Sequence, residues 1–363
     1  MKLNTIKEYF IKSKKSKKIL KKKELYFMPG RYSFSARNKK IYYLKNYDTE
    51  AFLNNLEKNF KFNKKEKGFS GLKTTIRAMV LGLFDVELTH TSNKFNGQLG
   101  MITRSDSIKI FDLEEKKVLT FIENKHEYQI IKTAYSKLNK YYNTTFLEFD
   151  DEKLCYSEYL IDFKPSNIWN KKEKELVFDH TYNVNKMYFN EYSELHYKKI
   201  SVSKKIKEWQ MQENIKKTVE NCKLLLQKVD VEIPILTLHG DINLNNILLS
   251  ENKIYFIDFE MSEEYLFFYD ILSLIYHEPF SNSWNGEKSY LINYVQGKYD
   301  LKLQELFGIL NFNYIPELKK EYFILGVLER AAKMNHAEEL LIRILNFYDE
   351  IETNYKIPIS KSS

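Results

Sequence analysis

Cysteine is nearly absent. Cys155 and Cys222 are the only two in 363 residues, which excludes a disulfide framework and a sulfur-ligated metal site and points to a reducing compartment. Proline numbers six and glycine eleven, so collagen-like and low-complexity chains are excluded as well. No stretch reaches the ~18 uncharged apolar residues that a membrane-spanning helix needs. The basic start of the chain is not followed by the apolar run of a secretory signal. The expectation is a cytoplasmic protein. Six of the histidines (His90, His126, His180, His196, His277 and His336) are scattered at no zinc-binding spacing. What is abundant is aromatic and charged: 27 Tyr, 25 Phe and 29% Asp, Glu, Lys and Arg, with 43% hydrophobic residues, a globular composition.

The net charge of +8 is unevenly placed. Ten lysines and a single acid, Glu8, fall within residues 1–23, which leaves the rest of the chain at −1. A folded body without excess positive charge argues against a nucleic-acid binder. The basic segment, with Ile6, Tyr9, Phe10, Ile11, Ile19 and Leu20 interleaved, suits either a solvated terminus or weak attachment to an anionic membrane surface.

Pro29-Gly30 marks a turn, and helical spacing follows in Glu50–Phe60 and Leu72–Leu83. Strand-like runs come next at Met101–Arg104, Ile108–Leu113 and Lys117–Ile122. A helix over His126–Tyr142 and two more strands, Thr145–Phe149 and Leu154–Ile161, complete a small α/β lobe. Beyond Pro165 the pattern is mainly helical. One long helix is expected over Ile206–Val229, and short strands at Ile235–Leu238, Ile247–Leu249 and Ile254–Phe259. The reading is α+β in three parts: a basic segment 1–23, a β-rich lobe with an extension over 24–161, and a larger helical lobe over 162–363.

Chemistry concentrates in the stretch Leu236-Thr-Leu-His239-Gly240-Asp241-Ile-Asn243-Leu-Asn245-Asn246, followed by two apolar strands and Ile257-Asp258-Phe259-Glu260. A polar loop between strands, closed by a strand–turn–strand, brings Asp241, Asn246 and Asp258 to one edge. Two carboxylates and an amide oxygen are hard donors of the kind Mg²⁺ takes together with phosphates. Each residue taken singly is an ordinary turn former; their joint spacing is the catalytic-loop and metal-carboxylate arrangement of phosphoryl transfer.

His239-Gly240-Asp241…Asn246 followed by Ile257-Asp258-Phe259-Glu260 resembles the signature of the aminoglycoside phosphotransferases, choline kinases and related small-molecule kinases. That resemblance implies a two-lobed protein-kinase-like fold. It implies ATP or GTP with Mg²⁺ as cofactors, Asp241 as catalytic base, Asn246 and Asp258 as metal ligands, and His239 as a support of the loop. Asp270 in Tyr269-Asp270-Ile271 resembles the structural aspartate that follows in the family. In the first lobe, Cys155–Ile161 resembles the hinge strand, with Glu158, Tyr159 and Leu160 beside the adenine. Glu127 resembles the helix glutamate that pairs with a strand lysine. Lys109 fits that lysine; if Ile108–Phe121 is one hairpin, Lys109 lies a strand too early and Lys117 takes its place. Asn93–Gly100 offers two glycines, fewer than a full glycine-rich loop.

Glu260, Glu263, Glu264 and Asp270, with Tyr265, Phe267 and Phe268, form either an acceptor site for a cation or a solvated loop over core aromatics. Gly240 in place of the Arg of His-Arg-Asp, Glu260 in place of the Gly after Asp-Phe, and the lack of Ala-Pro-Glu argue against a protein kinase. The expected activity is therefore transfer of a phosphoryl group to a hydroxyl of a small molecule: a sugar, an aminoglycoside, choline or ethanolamine, or an envelope-glycan precursor. A non-catalytic binding protein on the same fold is the alternative.

Overall fold

The computed structural model describes residues 14–34, 41–45, 49, 52–53, 85–89, 95–103, 107–193, 197–229, 231–251, 253–280, 288–334 and 338–355. The helices expected over Glu50–Phe60 and Leu72–Leu83 lie outside the described residues apart from 52–53. So do Asn93 and Lys94 of the expected nucleotide-covering loop. The chain divides into two compact units, one holding residues up to Lys132 and Thr144–Pro165, the other Thr133–Asn143 and everything from Ser166 onward.

The first unit is built on an eight-stranded sheet. Its strands are β1 (Gly30–Phe34), β2 (Ile41–Leu44), β3 (Val86–Leu88), β4 (Leu99–Ile102), β5 (Ile108–Asp112), β6 (Lys117–Phe121), β7 (Phe146–Asp150) and β8 (Cys155–Tyr159). They run in the order β3-β1-β2-β4-β5-β6-β8-β7, and every neighbouring pair is antiparallel. Alternation along the strands gives the sheet two apolar faces, since successive side chains point to opposite sides. Ile108, Ile110, Phe121 and Cys155 join Tyr32 and Tyr42 in one cluster. Leu99, Phe111 and Val118 join Ile41 and Leu53 in the other.

A short helix, α1 (residues 14–22), precedes the sheet. Its Leu20 is fully buried in the first cluster beside Phe27, so this part of the basic segment belongs to the fold rather than to a free tail. Lys14, Lys15, Lys18, Lys21 and Lys22 are exposed, spaced as the outer side of a helix requires. Gly97 and Gly100 are packing glycines. A side chain at Gly97 would stand 2.3 Å from Ile110 and 2.8 Å from the Tyr26 carbonyl, and one at Gly100 would stand 2.9 Å from the Phe27 ring.

In the second unit helices surround two small sheets. The helices are α3 (Lys171–Ser193), α4 (Val202–Gln210), α5 (Lys216–Leu226), α6 (Tyr269–His277), α7 (Ser289–Val295), α8 (Asp300–Ile309), α9 (Lys319–Met334) and α10 (Glu338–Tyr355). Between β6 and β7 in the chain, α2 (Lys125–Leu138) carries the point at which the first division falls, Lys132 to Thr133. Strands β9 (Lys198–Ser201), β10 (Glu232–Leu238) and β13 (Glu263–Leu266) form one sheet in the order β13-β10-β9. Strands β11 (Ile247–Ser250) and β12 (Lys253–Phe256) form a hairpin in which Ile247 faces Phe256.

A β-rich unit followed by a larger helical one is the α+β architecture expected from the sequence. Two expectations need correction. The single helix over Ile206–Val229 is two helices, α4 and α5, broken at Met211–Asn214. The apolar period that runs through Ile206 and Trp209 resumes only at Ile215, and the polar residues between leave the gap; Asn214 there donates to the Ala331 carbonyl at 3.4 Å. The strand expected to reach Phe259 stops at Phe256, because Asp258 turns left-handed with φ of 71° and starts a 3₁₀ turn, Phe259–Met261.

Candidate active site

Strand β10 buries Leu236 and Leu238 at its end and delivers the chain into the polar loop 239–246. The loop is held mainly by its own residues. Asn243 Nδ2 donates to the Asp241 carbonyl at 3.1 Å, and the Asn245 N–H donates to Asn243 Oδ1 at 2.9 Å. Asn246 Nδ2 donates both to the Asp241 carbonyl at 3.0 Å and to Asp241 Oδ2 at 2.8 Å. Short polar side chains that bond to nearby backbone stabilise such irregular turns.

Gly240 explains why this loop carries His-Gly-Asp. Its φ is +82°, and a Cβ there would lie 2.1 Å from the Met261 carbonyl oxygen and 2.7 Å from the Tyr265 ring. No side chain fits, an arginine least of all.

His239 is fully buried and joins the loop to the segment between β12 and the 3₁₀ turn, which carries Asp258. Its Nε2 donates to the Ile257 carbonyl at 3.1 Å, and the Asp241 N–H donates to its Nδ1 at 3.3 Å. That pattern assigns the proton to Nε2. The ring packs on Phe259 at 4.3 Å. The Ile257 N–H donates to the Asn246 carbonyl at 3.1 Å, so the two proposed metal-ligand positions, 246 and 258, are tied through adjacent backbone.

Asp270, in the first turn of α6, holds the loop from beneath. Its carboxylate accepts from the His239 N–H at 2.9 Å, the Gly240 N–H at 3.0 Å and the Tyr142 hydroxyl at 3.2 Å. Burial pushes this carboxyl above its usual range, and these donors pull against the shift. The structure thus brings together Asp241, His239, Asn246 and Asp258 with Asp270.

The oxygen donors fit Mg²⁺. Asn246 directs its amide nitrogen to Asp241, which leaves its amide oxygen for a cation, and Asp258 adds a carboxylate. Among the described residues no three His, Cys, Asp or Glu side chains gather around one point. A sparse donor set of this sort matches an ion that keeps waters and phosphate oxygens in its shell.

The remaining expected residues lie in the first unit. Strands β5 and β6 do form one hairpin, with Ile108 facing Phe121 and Asp112 facing Lys117. Lys109 is therefore on the strand before, directly across from Thr120, whose buried hydroxyl finds no partner among the described residues. Lys117 sits at the hairpin end, on the opposite face of the sheet from Lys109, with its Nζ 3.9 Å from Glu115. Helix α2 packs on the Lys109 side: Tyr128 meets Phe149 at 5.7 Å, Phe149 meets Tyr156 at 5.9 Å, and Tyr156 is the cross-strand partner of Thr120. Glu127 is in the first turn of α2, its N–H bonded to Asn124 Oδ1 at 3.3 Å.

In the hinge-like strand the Glu158 carboxylate turns inward and accepts from the Thr145 hydroxyl at 2.9 Å. The N–H groups of Tyr159 and Leu160 already donate to the carbonyls of Thr145 and Lys116, at 2.8 and 2.7 Å.

Of the acidic residues after Asp258, Glu263 and Glu264 are ion-paired at the surface, with Lys333 at 2.9 Å and Lys198 at 2.7 Å. Phe267 and Phe268 are buried against Phe307, so they are core residues and not the wall of a cation site. Sequence reasoning missed Arg330 of α9, whose Nη2 lies 2.8 Å from Asp241 Oδ1. The signal was available: the chain has six arginines, and this one sits with Glu329 at the end of an apolar helical run, Tyr322–Leu328.

No curated protein matches the chain. Among solved structures it is similar to the choline kinase LicA from Streptococcus pneumoniae, with 14% identity over 79% of this chain and 100% of that one, at a TM-score of 0.43. It is similar to the aminoglycoside phosphotransferase APH(4)-Ia at 12% identity, over 68% and 89% of the two chains, with a TM-score of 0.44. For the spectinomycin phosphotransferase APH(9)-Ia the values are 12%, 71%, 93% and 0.40. The segment that holds the whole 239–246 loop, the β11–β12 hairpin and Asp258–Asp270, residues 195–295, matches the phosphotransferase enzyme family.

Proposed function

We propose that this protein is a phosphotransferase that moves the γ-phosphoryl group of a nucleotide triphosphate, ATP or GTP, onto a hydroxyl of a small molecule. The observation that carries the reading is the convergence of Asp241, Asn246 and Asp258 through the bonds of His239 and Asp270, inside the segment that the family matches.

In this reading Asp241 orients the acceptor hydroxyl and receives its proton as the new P–O bond forms and the bond from the γ-phosphorus to the bridging oxygen breaks, releasing the nucleoside diphosphate. Asn246 and Asp258 hold Mg²⁺, which, when bound, neutralises charge on the phosphate oxygens. Lys109, although on the strand before, serves the phosphates better than Lys117, because it lies on the face of the sheet on which α2 packs through Tyr128. An adenine beside β8 meets carbonyl oxygens, since the N–H groups of Tyr159 and Leu160 are taken. The acceptor class stays as broad as the sequence left it: sugar, aminoglycoside, choline-like or glycan precursor.

The test is ADP release from Mg·ATP in the presence of a library of small hydroxyl compounds, with the phosphorylated product identified by mass. A protein that binds Mg·ATP but transfers to no acceptor would be the non-catalytic alternative.

A further inference from the structure

Helix α9 brings into the catalytic loop a side chain that no motif marks. Arg330 is buried, with 8% of its side chain exposed, and its Nη2 stands 2.8 Å from Asp241 Oδ1. Its Nη1 donates to the Tyr269 hydroxyl at 3.2 Å, and that hydroxyl donates to the Gly240 carbonyl at 3.2 Å. One planar guanidinium thus meets the loop twice, at the Asp241 carboxylate and, through Tyr269, at the backbone beside it. The other oxygen of Asp241 accepts from Asn246 Nδ2 at 2.8 Å. The carboxylate is held from two sides, by a hydrogen bond from an amide within its own loop and, on an oxygen that accepts no hydrogen bond, by the charge of a guanidinium from a helix about ninety residues further along the sequence.

Arg330 is itself held in place. Tyr265 and Tyr269 stack at 4.3 Å beneath it, and Tyr269 begins α6 next to Asp270. Its neighbour Glu329 is fully buried and takes both oxygens to Lys205 Nζ of α4, at 2.9 and 3.0 Å. A buried ion pair has value when it fixes one arrangement over others, because each partner is costly to leave alone.

We infer that Arg330 is the positioning residue of Asp241: the direction in which the base presents its free lone pairs is set from α9 and not by the 239–246 loop alone. The inference rests on the reading of Asp241 as the base. A small misplacement of a catalytic group is expensive in rate while leaving nucleotide contacts intact.

The test compares wild type with Arg330→Gln, Arg330→Lys and Tyr269→Phe. Each is measured for ADP release from Mg·ATP with water as acceptor and for its melting midpoint. Arg330→Gln is expected to lower kcat roughly 10- to 100-fold with the KM for Mg·ATP within about twofold. Arg330→Lys, which keeps the charge but not the fork, is expected to recover part of the loss, and Tyr269→Phe to show a smaller loss of the same kind. Millimolar methylguanidinium is expected to restore some rate to an Arg330→Ala variant, which a purely structural role does not allow. Full kcat per folded molecule in Arg330→Gln, whatever its melting midpoint, overturns the positioning role and leaves the phosphotransferase reading standing. A wild-type protein that releases no ADP under any condition overturns that reading and takes this inference with it.

Discussion

Asp241 has one oxygen facing an amide nitrogen and the other facing a guanidinium, so replacing it perturbs charge more than shape. Asp241→Asn is expected to keep nucleotide affinity and lower kcat by roughly two or more orders of magnitude, the range for losing an acid–base group. Steady-state kinetics with Mg·ATP checks this, and a loss below about tenfold removes Asp241 from the chemistry. Asp258→Ala is expected to abolish Mg²⁺-dependent ATP binding in a calorimetric titration, since one carboxylate of a sparse donor set is gone. At this scale the proposed site was legible as a group because its residues are near each other in the sequence: His239, Asp241, Asn246 and Asp258 span twenty positions. Arg330 stands out in the sequence only as one of six arginines, beside Glu329 after an apolar run; that it meets Asp241 depends on how α9 packs, which no local spacing records.

Elements follow the same division. Strands β5, β6 and β8 and helix α2 were legible as short apolar runs and a helical period, because β5 and β6 fill a core on either face of the sheet and α2 buries one side. The break between α4 and α5 was hidden, since a short lapse in the apolar period between Trp209 and Ile215 reads the same within one helix as between two. The basic segment was legible as charge but not as structure. Its Leu20 is buried beside Phe27, and the Lys23 ammonium lies 4.0 Å from the Phe121 ring centroid. Deleting residues 1–23 is therefore expected to destabilise the first unit, and Leu20→Ala alone to cost about 2–5 kcal/mol in urea unfolding of that unit. Helix α1 has its apolar side committed to this core, which leaves only its exposed lysines for an anionic surface. We propose that any vesicle binding is purely electrostatic and vanishes near 1 M salt, where the Debye length is roughly 3 Å. Co-sedimentation with anionic vesicles at low and high salt decides it.

For the molecule as a whole, acid stability has a readable sign. Burial holds His180 of α3 below its ordinary value of 6.5, where its ring stacks on Phe256 at 5.8 Å. As pH falls through 6.5 the unfolded chain takes up a proton that the folded chain refuses. Stability then falls, by at most about 1.4 kcal/mol per pH unit for one such group, until the folded histidine titrates too. Asp270 and Glu278 act in the opposite sense, because burial pushes their carboxyls up. The difference between wild type and His180→Leu isolates the histidine: the variant is expected to show a flatter loss of melting midpoint just below pH 6.5. None of this was visible from His180 in the sequence, where it is one scattered histidine among seven.

The left-handed backbone at Asp258, φ 71°, sets the folded chain at odds with the metal-ligand role proposed for its carboxylate. A side chain in that region costs on the order of 1 kcal/mol that glycine does not incur. Suppose a library of variants were sorted for heat resistance alone, with no demand for turnover. Asp258→Gly would then be expected to rise in frequency, its melting midpoint above that of wild type and its response to Mg·ATP lost. An aspartate at this position in the surviving population of an activity-blind selection would show instead that its carboxylate supports the fold by more than the strain it stores.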